Sequence, residues 1–136
     1  MKPVDLRGIL KYVPLYRNKI FVIALDGIIT ESENFSNILL DVAVLCSLNI
    51  RVVLVHGVSS QIQKIAGTME GFKPSDVDGS GITDDQTLKV ALIAANRCTH
   101  EILEGLSTVD LRAVTCNGII SHPMGIIRGV DHLYTG

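Results

Sequence analysis

The chain contains no tryptophan, and only 4% of its 136 residues are aromatic. Single-stranded nucleic acids are bound largely by stacking bases on aromatic side chains, so this composition offers little for such binding. The formal net charge is −2, and lysine and arginine form no basic stripe along the chain. The positive footprint of a nucleic-acid-binding protein is therefore also missing, and we expect no nucleic-acid partner.

Long hydrophobic runs are absent as well, although 47% of the residues are hydrophobic. No uninterrupted apolar stretch is long enough to span a membrane. The N-terminus does not follow the layout of a signal peptide, because Asp5 and Arg7 stand where an apolar segment would be needed. We expect a cytoplasmic protein with no membrane partner, whose apolar residues cover both sides of a sheet or contact another surface.

The three cysteines, Cys46, Cys98 and Cys116, are odd in number and lie far apart in sequence. A metal site or a redox pair would need a closer spacing, such as C-x-x-C. The pattern predicts buried free thiols in a reducing compartment and no bound metal.

Three motifs of phosphate chemistry are missing. The chain has neither the G-x-G-x-x-G of dinucleotide-binding proteins nor the G-K-S/T of P-loops. Asp26-Gly27 matches the end of the phosphatase pattern D-x-D-G, but Ala24 stands at the nucleophile position and cannot form a phospho-enzyme. We predict no cofactor.

A strand–helix–strand unit lies between Ile20 and Gln61. The apolar run 20–25, and the run 51–55, which is apolar after Arg51, predict two strands buried on both faces. Apolar residues at helical spacing predict a helix over 35–48. Strands joined by a helix of this length run parallel, in a right-handed crossover.

The loops that follow these two strands are the predicted ligand site, because ligands of open α/β sheets bind at the carboxyl ends of the strands. These loops are 26–28 and 56–60, and the candidate binding residues in them are Gly27, His56, Gly57, Ser59 and Ser60.

Each candidate also has a structural interpretation. His56 has no second His, Cys or carboxylate at ligand spacing, so we favour a histidine that closes its strand and hydrogen-bonds a neighbouring loop. Ser59 and Ser60 can help a helix N-terminus to hold an anion, or they can simply cap that helix. The residues leave both roles open.

Helices are predicted on either side of this unit. Apolar residues at helical spacing indicate an amphipathic helix within residues 1–19 that ends near Pro14 and packs on its own domain or on another subunit. A second helix is predicted over 60–70, with Ser59 or Ser60 as its N-cap. Its inward residues are predicted to be Ile62, Ile65 and Met69.

A third helix is predicted from Thr83 to about Leu106, opened by a capping box of Thr83 and Gln86. The alanines at positions 91, 94 and 95 would allow another helix to approach closely. Asn117-Gly118 lies between the apolar runs 111–116 and 119–121, which predicts a hairpin.

Several stretches match one known family in the right order over nearly the whole chain. They are Tyr12-Val13-Pro14, Arg17-Asn18-Lys19, Phe21-Val22-Ile23, Glu33-Asn34-Phe35-Ser36, Ser47-Leu48-Asn49-Ile50-Arg51, His56-Gly57 with Gln61-Ile62, Ile82-Thr83-Asp84 with Thr87-Leu88, and Gly129-Val130-Asp131. With them the chain resembles the amino-acid kinase family. The likeness is greatest to the kinase-like N-terminal domains of its N-acetylglutamate synthase branch, followed by the acetylglutamate kinases.

The resemblance also identifies kinase residues that this chain has lost. A lysine that neutralises the transferred phosphoryl group in family kinases corresponds to Ala24, and a glycine pair corresponds to Asp26-Gly27. A second glycine-rich loop keeps only Gly57, and an arginine for the substrate carboxylate corresponds to Gly81. Because phosphoryl transfer depends on such charge stabilisation, the resemblance implies a lobe without catalysis of its own.

The fold implied by the resemblance is an α/β three-layer sandwich with a mainly parallel sheet, the N-terminal lobe of the amino-acid kinase (carbamate kinase-like) fold. It divides the chain into an N-terminal helix, residues 1–19, and the lobe, residues 20–136. The family's nucleotide- or effector-binding lobe is expected beyond Gly136.

The function implied by the resemblance is a regulatory or amino-acid-binding domain of an N-acetylglutamate synthase-type protein in arginine biosynthesis. Its ligand would be acetylglutamate, glutamate or arginine, and it would form a homo-oligomer. Two alternatives stay open. One is an acetylglutamate kinase or related enzyme that phosphorylates a carboxylate with ATP. The other is an assembly module that joins subunits through its N-terminal helix and the alanine-rich face at 91–95.

Overall fold

The computed structural model describes residues 3–69, 82–116 and 123–134. In chain order its elements are α1 (Pro3–Tyr16), β1 (Ile20–Leu25), a 3₁₀ helix (Gly27–Glu31), α2 (Phe35–Ser47), β2 (Arg51–His56), α3 (Ser59–Gly67), α4 (Asp85–Thr108), β3 (Ile126–Ile127) and β4 (Val130–Asp131). The predicted turn at Asn117-Gly118 lies outside the described residues, and its predicted first strand, 111–116, has no regular secondary structure.

The predicted strand–helix–strand unit is confirmed. β1 and β2 are parallel, with Ile20 opposite Arg51 and Leu25 opposite His56, and α2 connects them. Asn49 ends the α2 connection in a left-handed conformation with φ of 62°, which asparagine tolerates better than most residues. The carboxyl ends of both strands therefore lie at the same edge of the sheet.

Only one face of this sheet is covered by the described residues. α2 contacts β2 and α4, and their buried side chains form a core cluster of Leu39, Val42, Cys98, Ile102 and Leu106. Ile23, Val52 and Leu54 of the strands pack against this cluster.

The opposite face of the sheet remains open, so the prediction of strands buried on both faces is wrong for the part of the chain described. Side chains alternate across a strand, and here both alternating sets are apolar, as in a parallel sheet that is covered twice. The described residues supply two layers, the helices and the sheet, and no layer over the second face. No helix among them is long and apolar enough to cross a bilayer.

Helix α1 continues two residues past Pro14 and ends at Tyr16. Proline lacks an N–H group and so removes one helical hydrogen bond. The bonding then resumes, because Arg17 N donates to Val13 O at 3.0 Å. Asn18, with φ of 65°, ends the helix, and the Tyr16 ring packs edge-on against Phe21 at the start of the sheet.

The start of α3 differs from the prediction. Val58 occupies the N-cap position without a side-chain cap, and Ser59 and Ser60 lie inside the first turn, so neither serine is the N-cap. The buried residues of α3 are Gln61 and Ala66, and of the predicted inward residues Met69 is exposed. Ile62 and Ile65 are half-buried.

Helix α4 is capped by Asp84 rather than by the predicted Thr83. An Asp84 carboxylate oxygen accepts a hydrogen bond from Thr87 N at 2.7 Å, while Thr83 forms a parallel bridge with Leu133. A carboxylate at the positive end of the helix is a stronger acceptor than a hydroxyl. α3 packs against α4. In the alanine-rich face Ala94 is completely buried, and Ala91 and Ala95 are half-buried.

Candidate functional site

The loops after β1 and β2 contact each other directly at the edge of the sheet. Gly57 N donates to Leu25 O at 2.9 Å, which joins the second loop to the end of the first strand. A Cβ atom placed on Gly27 would overlap both Gly57 O and Gln61 Oε1. The structure thus brings Gly27 and Gly57 together, as the strand order predicts, but it leaves no space between them for a side chain.

Gln61 holds the two loops together. Its side chain is 6% exposed, and its Nε2 donates to Gly27 O at 2.7 Å. Its Oε1 accepts a hydrogen bond from Ser60 Oγ at 2.8 Å. The sequence shows this glutamine only as a polar residue in the first turn of a helix, so its function as a bridge between loops was not predicted.

Thr30, from the 3₁₀ helix, completes the hydrogen bonding of the first loop. Its hydroxyl donates to Gly27 O at 2.9 Å and lies 3.4 Å from Glu101 Oε2 on α4. Gly27 O therefore accepts two hydrogen bonds, from Thr30 and from Gln61, which uses both of its lone pairs. No sequence motif indicated Thr30.

His56 points away from these loops, toward α4. Its Nε2 lies 2.8 Å from Thr99 Oγ1, so its partner is a helix residue and not the neighbouring loop that we predicted. His56 Nδ1 is buried and has no hydrogen-bond partner among the described residues. The ring lines a cavity of about 490 Å³ between β2, α2, α4 and residues 111–116. Most of the other lining residues are aliphatic.

The two serines differ in their surroundings. Ser59 is exposed on the first turn of α3, and Ser60 is half-buried and bonded to Gln61. The first backbone N–H groups of a helix have no partner within that helix, so the start of α3 keeps the potential to hold a carboxylate. Among the five predicted site residues, Gly27, Gly57 and Ser60 form one connected group.

The charges around this edge are largely acidic or neutralised. Lys64 pairs with Glu31, and Arg97 Nε pairs with Glu101 Oε1 at 3.2 Å. Asp26 is exposed directly before Gly27, and its carboxylate accepts from Ile28 N at 3.2 Å. Lys64 and Arg97 are thus both paired with carboxylates, and neither is left to neutralise a phosphate over the two glycines.

Beneath the second loop, Cys98 Sγ lies 3.9 Å from Gly57 O. Burial raises the pKa of the Cys98 thiol, and the charges of Glu101 and Glu31 raise it further. A thiol held in its protonated form is a poor nucleophile and metal ligand. All three cysteines are free, but only Cys98 is buried; Cys46 is half-buried and Cys116 is exposed, so the prediction of buried thiols is wrong for Cys116 and holds in full only for Cys98.

The chain is similar in sequence to several amino-acid acetyltransferases. It is 37% identical over 134 residues to that of Vibrio cholerae, covering 92% of this chain and 30% of the relative. It is 34% identical over 140 residues to that of Pseudomonas fluorescens, covering 96% of this chain and 32% of the relative. The chain therefore spans about a third of the length of these curated relatives, and no family model matches it.

The fold has a counterpart among solved structures. It matches N-acetylglutamate synthase from Neisseria gonorrhoeae, solved in complex with coenzyme A and N-acetyl-glutamate, with a TM-score of 0.80 and 26% identity. The match covers 97% of this chain and 31% of the other. The α/β architecture with a parallel sheet is thus shared with a protein of known structure.

Proposed function

We propose that the chain is a kinase-like domain of an N-acetylglutamate synthase-type protein, which binds an amino acid in arginine biosynthesis and does not transfer phosphate. The proposal includes the division into an N-terminal helix, residues 1–19, and the lobe of the amino-acid kinase fold, residues 20–136. It also includes a third layer over the open face of the sheet, as a three-layer sandwich requires.

The likeness to amino-acid acetyltransferases carries this proposal. It extends over 92% of the chain at 37% identity, whereas the chain spans only 30% of that relative. The acetyl transfer named for these relatives belongs to proteins about three times as long. A role in binding or regulation is the simpler one for a domain of this size.

The closed loops support the absence of phosphoryl transfer. Phosphoryl-transfer sites work by surrounding the moving phosphate with cations and with open backbone N–H groups. Here the surface of Gly27 is occupied by Gly57 and Gln61, and Lys64 is paired with a carboxylate. Ala24, where family kinases carry a lysine, has no charge to offer.

The proposed ligands, acetylglutamate, glutamate and arginine, all carry a carboxylate. The start of α3 offers backbone N–H groups beside Ser59, and Gly57 next to it is exposed. We expect the carboxylate to bind there, with the helix dipole providing part of the attraction. Gly27 and Ser60 would then support this site from behind through their hydrogen bonds to Gln61, whereas His56 contacts Thr99 of α4 and lies outside it.

The experiment is titration calorimetry of the protein with each of the three amino acids. We expect at least one of them to bind, and Ser59→Asp to weaken that binding by roughly tenfold or more because it places a negative charge beside the carboxylate. An acidic residue in the first turn also favours the helix, so the variant should stay folded.

Ser47→Asp is the matched control, because Ser47 is also an exposed serine but lies at the end of α2. It should bind as the wild type does. Absence of binding for all three amino acids would contradict the proposal, as would equal affinity of the wild type and Ser59→Asp.

A further inference from the structure

One turn of α4, residues 97–101, contacts the ends of both strands and the loops that follow them. Three of its side chains each reach a different point there. The contacts are Cys98 Sγ to Gly57 O at 3.9 Å, Thr99 Oγ1 to His56 Nε2 at 2.8 Å and Glu101 Oε2 to Thr30 Oγ1 at 3.4 Å. The two loops are therefore supported by a helical turn that lies at least 41 residues away in the sequence.

Glu101 is the one of these three side chains that has a carboxylate, and both of its oxygens have partners. Oε1 accepts a hydrogen bond from Arg97 Nε at 3.2 Å, one turn earlier in α4, and Oε2 lies 3.4 Å from Thr30 Oγ1. The Glu101 side chain is 38% exposed, so water reaches only part of it. Contacts at both oxygens restrict the rotamers of Glu101, which fixes its position relative to Thr30.

Thr30 connects Glu101 with the hydrogen bonds between the two loops. Its hydroxyl lies 2.9 Å from Gly27 O, 3.4 Å from Glu101 Oε2 and 3.4 Å from Gln61 Nε2. A hydroxyl group has one proton to donate and two lone pairs that accept, so all three partners restrict where it can lie. Because Gln61 also accepts from Ser60, a continuous network of polar contacts leads from α4 to the first turn of α3.

We propose that Glu101 is a positioning residue for the amino-acid site, which it supports without touching the ligand. The inference rests on the proposed function, which places the carboxylate of the ligand at the start of α3. Glu101 fixes Thr30, and Thr30 together with Gln61 fixes the carbonyl of the first loop against which the first turn of α3 is held. The N–H groups of that turn are then oriented before the ligand arrives, which lowers the entropic cost of binding.

The charge of Glu101 acts in the opposite direction to its hydrogen bonding. A carboxylate near the site repels the carboxylate of a ligand, so removal of the charge alone would strengthen binding. Glu101→Gln removes the charge and keeps a side chain that can hydrogen-bond to Thr30, whereas Glu101→Ala removes both. A comparison of the two variants therefore separates the effect of the hydrogen bond from the effect of the charge.

Titration calorimetry of the whole chain with N-acetylglutamate, glutamate and arginine measures this difference. Glu101→Gln should bind at least as tightly as the wild type. Glu101→Ala should bind roughly fivefold more weakly than Glu101→Gln, because only the amide replaces the contact with Thr30. Glu104→Ala is the matched control, since Glu104 is an exposed carboxylate on the same helix, and it should bind as the wild type does.

Amide hydrogen exchange tests the same positioning without a ligand. Gly57 N donates to Leu25 O at 2.9 Å, so its exchange reports opening of the second loop. Arg51 N donates to Lys19 O at 3.0 Å and reports the other end of the sheet. Glu101→Ala should accelerate exchange at Gly57 N roughly fivefold relative to Glu101→Gln and should leave exchange at Arg51 N unchanged.

The outcomes separate this inference from the proposed function. If the wild type binds none of the three amino acids, the proposed function fails, and the positioning of a ligand site by Glu101 fails with it. If the wild type binds and Glu101→Ala has the same affinity as Glu101→Gln, only the inference fails. Equal acceleration of exchange at Gly57 N and Arg51 N in Glu101→Ala would show a general loss of stability, and it would also contradict the inference.

Discussion

The loops after β1 and β2 look alike in the sequence and differ in the structure. Each follows an apolar strand and contains one glycine, Gly27 in the first and Gly57 in the second. Gly27 is buried, with Gly57 O and Gln61 against it, whereas the nearest atom to a Cβ on Gly57 would be Gly27 N at 3.9 Å. Glycine is required at position 27, because the backbone of the second loop approaches it closely, and it is not required for this reason at position 57.

This difference separates a loop that is packed from a loop that is accessible. The first loop is packed against the second and fixes the ends of the two strands. The second loop stays accessible at its surface, at Gly57 and Ser59. A ligand at this edge of the sheet would contact the second loop.

The largest expected effect is that of Gly27→Ala. The new methyl group would overlap a backbone oxygen, which cannot move without separating the two strands, so we expect a loss of about 3 kcal/mol or more in the free energy of unfolding. Gly57→Ala meets no atom closer than 3.9 Å and should change it by less than about 1 kcal/mol. Urea unfolding of both variants measures the difference. Equal losses would show that the two loops are not distinct.

A smaller loss is expected for Gln61→Ala, which removes the bridge between the loops. It deletes the bond to Gly27 O and leaves a space beside it, which should cost about 2 kcal/mol. Gln63→Ala, at an exposed position of the same helix, should have an effect within about 0.5 kcal/mol of zero. Thermal unfolding of the two variants provides the test. A Gln61→Ala variant as stable as the wild type would show that the Gln61 side chain does not hold the two loops together.

The same contrast between crowded and open glycines recurs in the helices. A Cβ on Gly105 of α4 would lie 2.5 Å from Leu39 Cδ1 and 3.1 Å from Phe35 Cε1, while a Cβ on Gly67 of α3 meets nothing within 4 Å. Gly105→Ala should destabilise by about 1 to 2 kcal/mol, because the side chains around it can adjust only in part. Gly67→Ala should stabilise by about 0.5 kcal/mol, since alanine favours a helix. Unfolding curves in which Gly105→Ala and Gly67→Ala change the free energy of unfolding in the same direction would contradict this distinction between crowded and open glycines.

The smallest effect concerns Cys98, under the second loop. Burial raises its thiol pKa above the ordinary value of 9.0, so the folded protein keeps the proton while the unfolded chain loses it. Stability from this group is therefore complete below about pH 9 and decreases as the pH rises above it. Thiol labelling of the native protein should modify the exposed Cys116 quickly and Cys98 last. Rapid labelling of Cys98 would show that the loop opens easily.

The sequence predicted the parallel unit well because its signals are local and agree with one another. Apolar runs placed both strands, helical spacing placed α2, and the loop order placed Gly27 beside Gly57. The residues that the sequence did not predict are those whose side-chain hydrogen bonds depend on tertiary contacts. Gln61 bonds to Gly27 O across 34 residues and Thr30 to Glu101 across 71, and the neighbouring sequence indicates neither contact.

Two further errors have similar causes. Thr83 was predicted as a cap because it precedes a polar first turn, but its backbone pairs with Leu133, 50 residues away, and Asp84 is the cap. Burial of both faces of the strands was predicted from apolar content, and content alone does not say which chain provides the cover.

The central claim is that the closed loops do not transfer phosphate. It is tested most directly by a coupled assay of ADP release with ATP and N-acetylglutamate at saturating concentrations. We expect no turnover above the rate without protein. Turnover at an ordinary enzyme rate, about 1 per second or faster, would contradict the account.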